Sequence, residues 1–295
     1  MSTDVKKEKL LSYLGQIEKL PTLPVVATQI LVKTSDPDFS IDSIVDLVMT
    51  DQVLTAKMIR LVNSAYWGLG LQIQSLRQAI IYLGTRNVRN VVLTTSLMQI
   101  IPGSEKSTWL KSFWSHSFGC ALISRLLAQS IGYRDLERAY LAGLLHDIGE
   151  IILMQNFPED FKKVIENAEG NGWDFYQAEK SVLGISHVDF GPWLLEQWKI
   201  CGEIAHVVSR HHNPENAVVE PILVALVRIA DMYAKSKGLS LGFKKPGNQD
   251  LLNDAPWNVI ERESLGSNHT NNEAHLAYLE DNIEAVQQFI NMIYD

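Results

Sequence analysis

The chain has 295 residues, 46% of them hydrophobic and 20% charged, a globular composition that excludes a disordered protein. Its net charge of −8 offers no broad basic face for nucleic acid, and no apolar stretch approaches the ~18 residues that a membrane span needs. The only cysteines, Cys120 and Cys201, are expected to act as small buried hydrophobes in a reducing compartment; with no secretory apolar core at the N-terminus, the expected location is the cytoplasm.

Apolar residues recur at helical spacing almost throughout, first at Leu10, Leu14 and Ile17, then at Ile41, Ile44, Val45 and Val48. Pro24 reads as a first-turn proline and Ser40 as the N-cap of the run behind it. Ser75-Leu-Arg-Gln78 is a capping-box pattern, and Gly84 reads as the stop of the short helix it opens. Alternating strands and Asn-Gly or Asp-Gly hairpin signals are absent, so the expected fold is all-α. A break at Ile101-Pro-Gly-Ser104 separates a helix near Val88 from a long one starting near Ser107. Residues 1–104 are therefore expected to form an N-terminal helical subdomain, and residues 105–235 a second one. From Lys235 to Asn272 the chain is rich in Gly, Asn, Lys and Ser, with Pro246 and Pro256, and reads as a long irregular connection. Within 236–295 the chain ends in a helix striped by Leu276, Leu279, Ile283, Val286, Ile290 and Ile293. Under three heptads is short for a dimeric coiled coil, so docking onto the protein body is the expectation.

The most informative stretch is Ala139-Tyr-Leu-Ala-Gly-Leu-Leu-His146-Asp147-Ile-Gly-Glu150-Ile-Ile-Leu. It is apolar enough to be a buried helix, yet it sets an imidazole beside a carboxylate. A buried carboxylate is costly unless hydrogen-bonded, ion-paired or metal-bound. A helix end whose Asp takes backbone or Arg hydrogen bonds explains that pair equally well. The same anomaly recurs, however. His116 shares a face with Trp109, Phe113 and Cys120; His187 lines up with Gly191, Leu194 and Trp198; His211 continues the stripe Ile204, Val207, Val208 with His212 beside it; Asp231 lies on the stripe Val224, Val227. His206 falls in the same region off these stripes. Lone core histidines are common, but this many histidines with two aspartates point to ligands for Fe, Mn or Zn, with a carboxylate able to bridge two ions.

The order His116, His146-Asp147, Asp231 resembles the HD superfamily of metal-dependent phosphohydrolases, and His187 with His211-His212 resembles the two-metal variant typified by HD-GYP proteins. The first half is more specific. Leu20-Pro-Thr-Leu-Pro-Val-Val, then Asp51-Gln-Val-Leu-Thr-Ala-Lys-Met-Ile-Arg-Leu-Val-Asn-Ser-Ala-Tyr, then Leu76-Arg-Gln-Ala-Ile-Ile-Tyr-Leu-Gly, is similar to the HDOD family over about residues 8–235. That resemblance implies an N-terminal helical HDOD subdomain followed by an HD-like one. It also implies one metal on His116, His146, Asp147 and Asp231, and a second on His187, His211 and His212 with Asp147 bridging.

Three departures bear on activity. His211-His212 is followed by Asn213-Pro214-Glu215 instead of Gly-Tyr-Pro, Ser112 replaces a carboxylate one turn before His116, and Glu150 stands where a phosphate-meeting lysine is usual in that group. HDOD members are usually regulatory, so the resemblance implies a signal-transduction protein acting through a protein partner or a small phosphorylated ligand. The alternative is a metal-dependent phosphohydrolase on a phosphomonoester or nucleotide. An oxygen-using di-iron enzyme is chemically allowed without further support. Arg125, Arg210 and Arg228 are candidate phosphate contacts, each also readable as a surface or ion-pair residue. The stretch Asn63 to Gly68 reads either as a recognition surface or as helix capping plus packing.

Overall fold

The computed structural model describes residues 3–18, 20–34, 40–98, 107–240, 251–252, 255–263 and 271–294, and among these it is all helical with no strand. Four short helices open the chain: α1 (Thr3–Leu14), α2 (Val25–Thr34), α3 (Ile41–Met49) and α4 (Gln52–Val62). Ser40 caps α3 as expected, its side chain accepting from the Ser43 N–H, and Asp51 caps α4 through the Leu54 N–H. Pro24 precedes α2 by one residue and accepts from the Thr28 N–H, so it stands at the N-cap and not in the first turn. In α5 (Leu76–Leu97) the Ser75 side chain accepts from the Gln78 N–H, while Gln78 reaches back to the Gln74 N–H, one residue beyond a reciprocal capping box. Gly84, with φ 79° and ψ 157°, turns the expected stop into a kink between two helical stretches.

Asn63 to Gly68 is packed as structure. The Asn63 amide brackets Ile73, donating to its carbonyl and accepting from its N–H. Tyr66 and Trp67 meet edge-on, with the Arg125 guanidinium over both rings.

The second half comprises α6 (Thr108–Ser130), α7 (Leu136–Leu145), α8 (Glu150–Asn156), α9 (Pro158–Asn171), α10 (Phe175–Leu183), α11 (His187–Gln197), α12 (Gly202–Arg210) and α13 (Pro221–Ser236). The buried helix α6 is its axis, packed against α7 and α13. The break expected at 101–104 lies outside the described residues. Across it, α5 touches α7. The segment read as irregular holds a helix, α14 (Ala255–Glu263), with Trp257, Val259 and Ile260 buried. Its Pro256 looks like loop punctuation but is the second helical residue, where a missing N–H costs nothing. The last helix, α15 (Asn272–Tyr294), buries Leu279, Val286, Phe289, Ile290 and Ile293. It lies along α6 and reaches α4 and the 3-10 turn Ala65–Trp67, so both halves contribute to its bed. Cys120 is buried as expected, but Cys201 is exposed beside the start of α12, because the turn there faces solvent.

The α6–α7 contact is close enough to require glycine. A Cβ on Gly143 would stand 2.6 Å from both the Cys120 carbonyl oxygen and Ser124 Oγ. Gly143→Ala should therefore cost about 1–3 kcal/mol, the usual penalty of overpacking, read as a lower urea midpoint at unchanged slope. A wild-type midpoint would contradict this packing.

Candidate metal centre

Helix ends aim most of the candidate side chains. The stretch expected to run as one buried helix breaks instead after α7: His146 caps that helix and Asp147 lies in the turn at 146–149 before α8. The break occurs where α11 crosses, and a Cβ on Gly149 would lie 2.1 Å from the His187 carbonyl oxygen. His187 opens α11 behind a capping box of Ser186 and Asp189. His211 caps the C-terminus of α12, with His212 next. His116 and Asp231 project from within α6 and α13.

All seven residues singled out in the sequence meet. Ligand atoms of His116, His146 and Asp231, joined by Cys120, lie within 4.8 Å of one another, as do those of Asp147, His187, His211 and His212. Asp147 faces both groups. Its Oδ2 is 3.0 Å from His146 Nε2 and 3.5 Å from His116 Nε2, and its Oδ1 is 3.2 Å from His187 Nε2 and 3.3 Å from His211 Nε2. Asp231 Oδ1 is 3.1 Å from His116 Nε2 and 3.8 Å from His146 Nε2. Of these seven only His212 is incompletely buried. His206 belongs to neither group.

Four imidazoles are held in one sense. Their Nδ1 atoms lie 2.7 Å from the Leu239 carbonyl (His116), 2.8 Å from Gly143 (His146) and 3.0 Å from Val208 (His211), while His187 Nδ1 is 2.6 Å from Glu179 Oε2. A carbonyl or carboxylate oxygen accepts, so each Nδ1 donates and each Nε2 faces the centre. His212 is held in the opposite sense. Arg228 Nη1 lies 3.2 Å from its Nδ1 and donates to it, which leaves the ring proton on Nε2, 3.2 Å from His187 Nε2. The His212 ring stacks on Tyr176 at 4.0 Å and 3°.

The electrostatics are those of a shared site. Burial opposes charge on every group here, yet His146 stays well above the ordinary imidazole value because Asp147 and Cys120 face it, and His187 is held at about 10 by Glu179 and Asp147. Asp147 is held well below the carboxylate range by His146 and His187, and Asp231 by Lys235 and His116, both against burial. Burial pushes Glu150 and Glu179 up and His211 down to about 4. Two features of the cluster fit a divalent cation. The buried Nε2 atoms of His146 and His211 have no hydrogen-bond partner, although Asp147 oxygens lie within 3.3 Å: the atoms are close but not aligned on one another. The donor set of imidazole, carboxylate and thiol is that of a transition-metal site.

Three neighbours join the cluster that the sequence does not single out as ligands, although Cys120 lies on the His116 face. Glu179 braces His187, accepting from its ring and also from its backbone N–H. Cys120 follows His116 by one turn, with Sγ 3.6 Å from Nε2. Lys235 follows Asp231 by one turn and places Nζ 2.7 Å from Oδ1. The four-residue spacing carried the last two signals, whereas Glu179 is brought in by tertiary packing. Of the arginines, Arg228 pairs with Asp231 at 3.1 Å, Arg125 lies over Tyr66 and Trp67, and Arg210 is exposed.

The HDOD domain family matches residues 20–214. The structure is similar to an HDOD domain protein of unknown function from Geobacter sulfurreducens, at 30% identity and TM-score 0.86 over 99% of each chain. It shares its fold with a candidate phosphohydrolase from Shewanella amazonensis, at 20% identity and TM-score 0.74 over 97% of this chain and 98% of that one. An uncharacterized protein of Treponema pallidum is 24% identical over 75% of this chain; the matched part is 43% of its own length, so this chain spans less than half of that relative.

A pH window follows from His187. Its folded value of about 10 exceeds the ordinary 6.5, so the stabilisation it contributes is complete below pH 6.5 and is lost as pH rises toward 10. A divalent cation competes for the same ring nitrogens and carboxylates. The rise in Tm on adding Mn(II) or Zn(II) to chelator-treated protein should therefore grow from pH 6.5 upward. An increment that shrinks across that window would contradict this account.

Proposed function

The chain belongs to the HDOD family, and from that premise we propose that it is a regulatory, signal-transducing protein whose buried centre holds a divalent metal and which acts by binding a protein or a small phosphorylated ligand. The observation that carries this reading is the small space beside the centre. A cavity of about 50 Å³ is bounded by His116, Asp147, Glu150, Phe175 and Lys235. Such a space admits an ion and a few waters, at roughly 10–15 Å³ each. Organic ligands ordinarily occupy pockets of ~300–1,000 Å³. Glu150 on its wall and the Lys235–Asp231 ion pair further separate it from an open phosphate site.

His116, His146 and Asp231 would hold one ion and His187 and His211 a second, with Asp147 serving both, while His212, whose Nε2 carries its proton, would stand beside the second set as a donor; Fe, Mn or Zn suits these ligands. When bound, such ions supply Lewis acidity and fixed positive charge. The chain's own contribution is orientation: three backbone carbonyls and Glu179 fix the imidazoles, and Arg228 and Lys235 hold Asp231.

Phosphohydrolase activity is the second reading, and Lys235 is what favours it. Glu150 occupies the place of a phosphate-meeting lysine, but Lys235 brings an ammonium to the same cavity from α13. Burial and Asp147 together push Glu150 toward its neutral form, which reduces its repulsion of an anion.

Elemental analysis of protein purified without a metal-affinity column should find Fe, Mn or Zn, and Asp147→Ala should remove most of it. Less than about 0.2 ion per chain, unchanged after incubation with each metal, would sink the metal reading, since ligands this buried imply tight binding. The regulatory reading further expects no difference in phosphate-ester turnover between wild type and Asp147→Ala. A rate at least about a hundredfold higher in wild type would instead establish the hydrolase, because removing a bridging ligand should abolish metal-assisted chemistry.

A further inference from the structure

A second cavity, of about 550 Å³, lies where the two halves of the chain meet, bounded by α2, the middle of α5, the start of α7 and the connection from α11 to α12. Its size falls within the usual range for small organic ligands, unlike the space beside the metal centre.

Its charge is arranged unlike that of the rest of the molecule. Arg86, Arg89, Arg138 and Lys199 border it against two carboxylates, Asp135 and Glu137, in a chain whose net charge is −8. Arg138 is fully engaged, with Asp135, Glu203 and Glu220 all within 3.4 Å. Arg86 reaches Glu137 only at 3.7 Å. Arg89 is the exception, since its Nε is buried without a hydrogen-bond partner. That nitrogen is covered by protein, so it is the rest of the Arg89 guanidinium that borders the cavity, where its remaining N–H groups suit a phosphate or carboxylate.

Lys199 adds an independent observation. It occupies the left-handed region at φ 56°, directly after α11, where the Ile200 N–H bonds back to the Leu195 carbonyl. Glycine is the usual residue at such a helix end. A lysine there is strained, and the strain places a cation on the cavity wall. Leu141, Ile204 and Trp198 add apolar surface to the same lining, and the Trp198 indole is fixed by donating to the Pro21 carbonyl at 2.8 Å.

An arginine balanced only at longer range by Asp135 and Glu137, and a lysine in the left-handed region, share one lining with aliphatic and aromatic side chains, a combination that calls for a compact anion attached to a flat or apolar body. The carboxylates of the same rim can accept from sugar hydroxyls or ring amines. We propose that this cavity is a binding site for a nucleoside phosphate, with Arg89 and Lys199 meeting the phosphate and the Leu141–Ile204 wall meeting the base.

Calorimetric titration of the full chain with ADP, GDP, adenosine and inorganic phosphate tests it. At least one diphosphate should bind with a Kd well under about 1 mM. Adenosine and inorganic phosphate alone should each bind about tenfold or more weakly, because each offers half of the recognition. Arg89→Met should weaken the diphosphate by about tenfold or more. Lys199→Gly relieves the backbone strain, so it should weaken binding while holding or raising Tm, which separates a lost contact from a lost fold. The same titration on chelator-treated protein should still show diphosphate binding, so the proposal stands or falls apart from the metal centre. It is overturned if no diphosphate binds below about 1 mM, if both variants bind like wild type, or if inorganic phosphate binds as tightly as the diphosphates.

Discussion

The carboxylate of Asp147 is the constraint around which the second half is arranged. It is buried, and a buried carboxylate must be compensated at close range. Compensation comes from four imidazoles: His116 from α6, His146 at the end of α7, His187 from the start of α11 and His211 at the end of α12. Gly149 lets α11 approach close enough to complete the set. Removing any one of these supports would leave charge in an apolar interior, where its cost is greatest.

Helix termination serves this arrangement as much as side-chain chemistry does. His146 and His211 each accept their place at a C-cap by donating from Nδ1 to the carbonyl three residues earlier, so the backbone fixes the ring and directs the other nitrogen inward. His187 obtains the same orientation from Glu179 on α10. His212 departs from the pattern, because Arg228 and Tyr176 determine its ring. Within one cluster, then, four imidazoles are set to offer a lone pair inward, and one is set to offer a proton.

Much of this was legible in the sequence. Helical periodicity, the Ser40 cap and the burial of His116, His146, Asp147, His187, His211, His212 and Asp231 follow from local rules, since stripe and cap signals lie within one or two turns. Their division into two ligand sets, in contrast, is what the resemblance to the HD superfamily implied. What lay beyond one turn was not legible. Glu179 stands eight residues from His187 across a helix break, and the break itself depends on α11 crossing Gly149. Pro256 was misleading because proline marks both loops and first turns, and only the burial of Trp257 distinguishes them. Glu150 reads in sequence as a charge repelling phosphate, but its neighbours and burial alter its ionisation, and Lys235 alters what shares its space. The cavity between the halves has no sequence signature, being built from a few residues of each of four separate segments.

The helix α7 has Asp135, Arg138 and Leu141 on that cavity at one end and His146 on the metal centre at the other, and ten residues of helix make a rigid strut about 15 Å long. The helix α12 repeats the arrangement, from Ile204 to His211. Two struts that each join the cavity to the candidate metal centre make the molecule a balance beam in thermodynamic terms. Whatever free energy an occupant of one end transmits through α7 and α12 must return with equal size when the order of occupation is reversed.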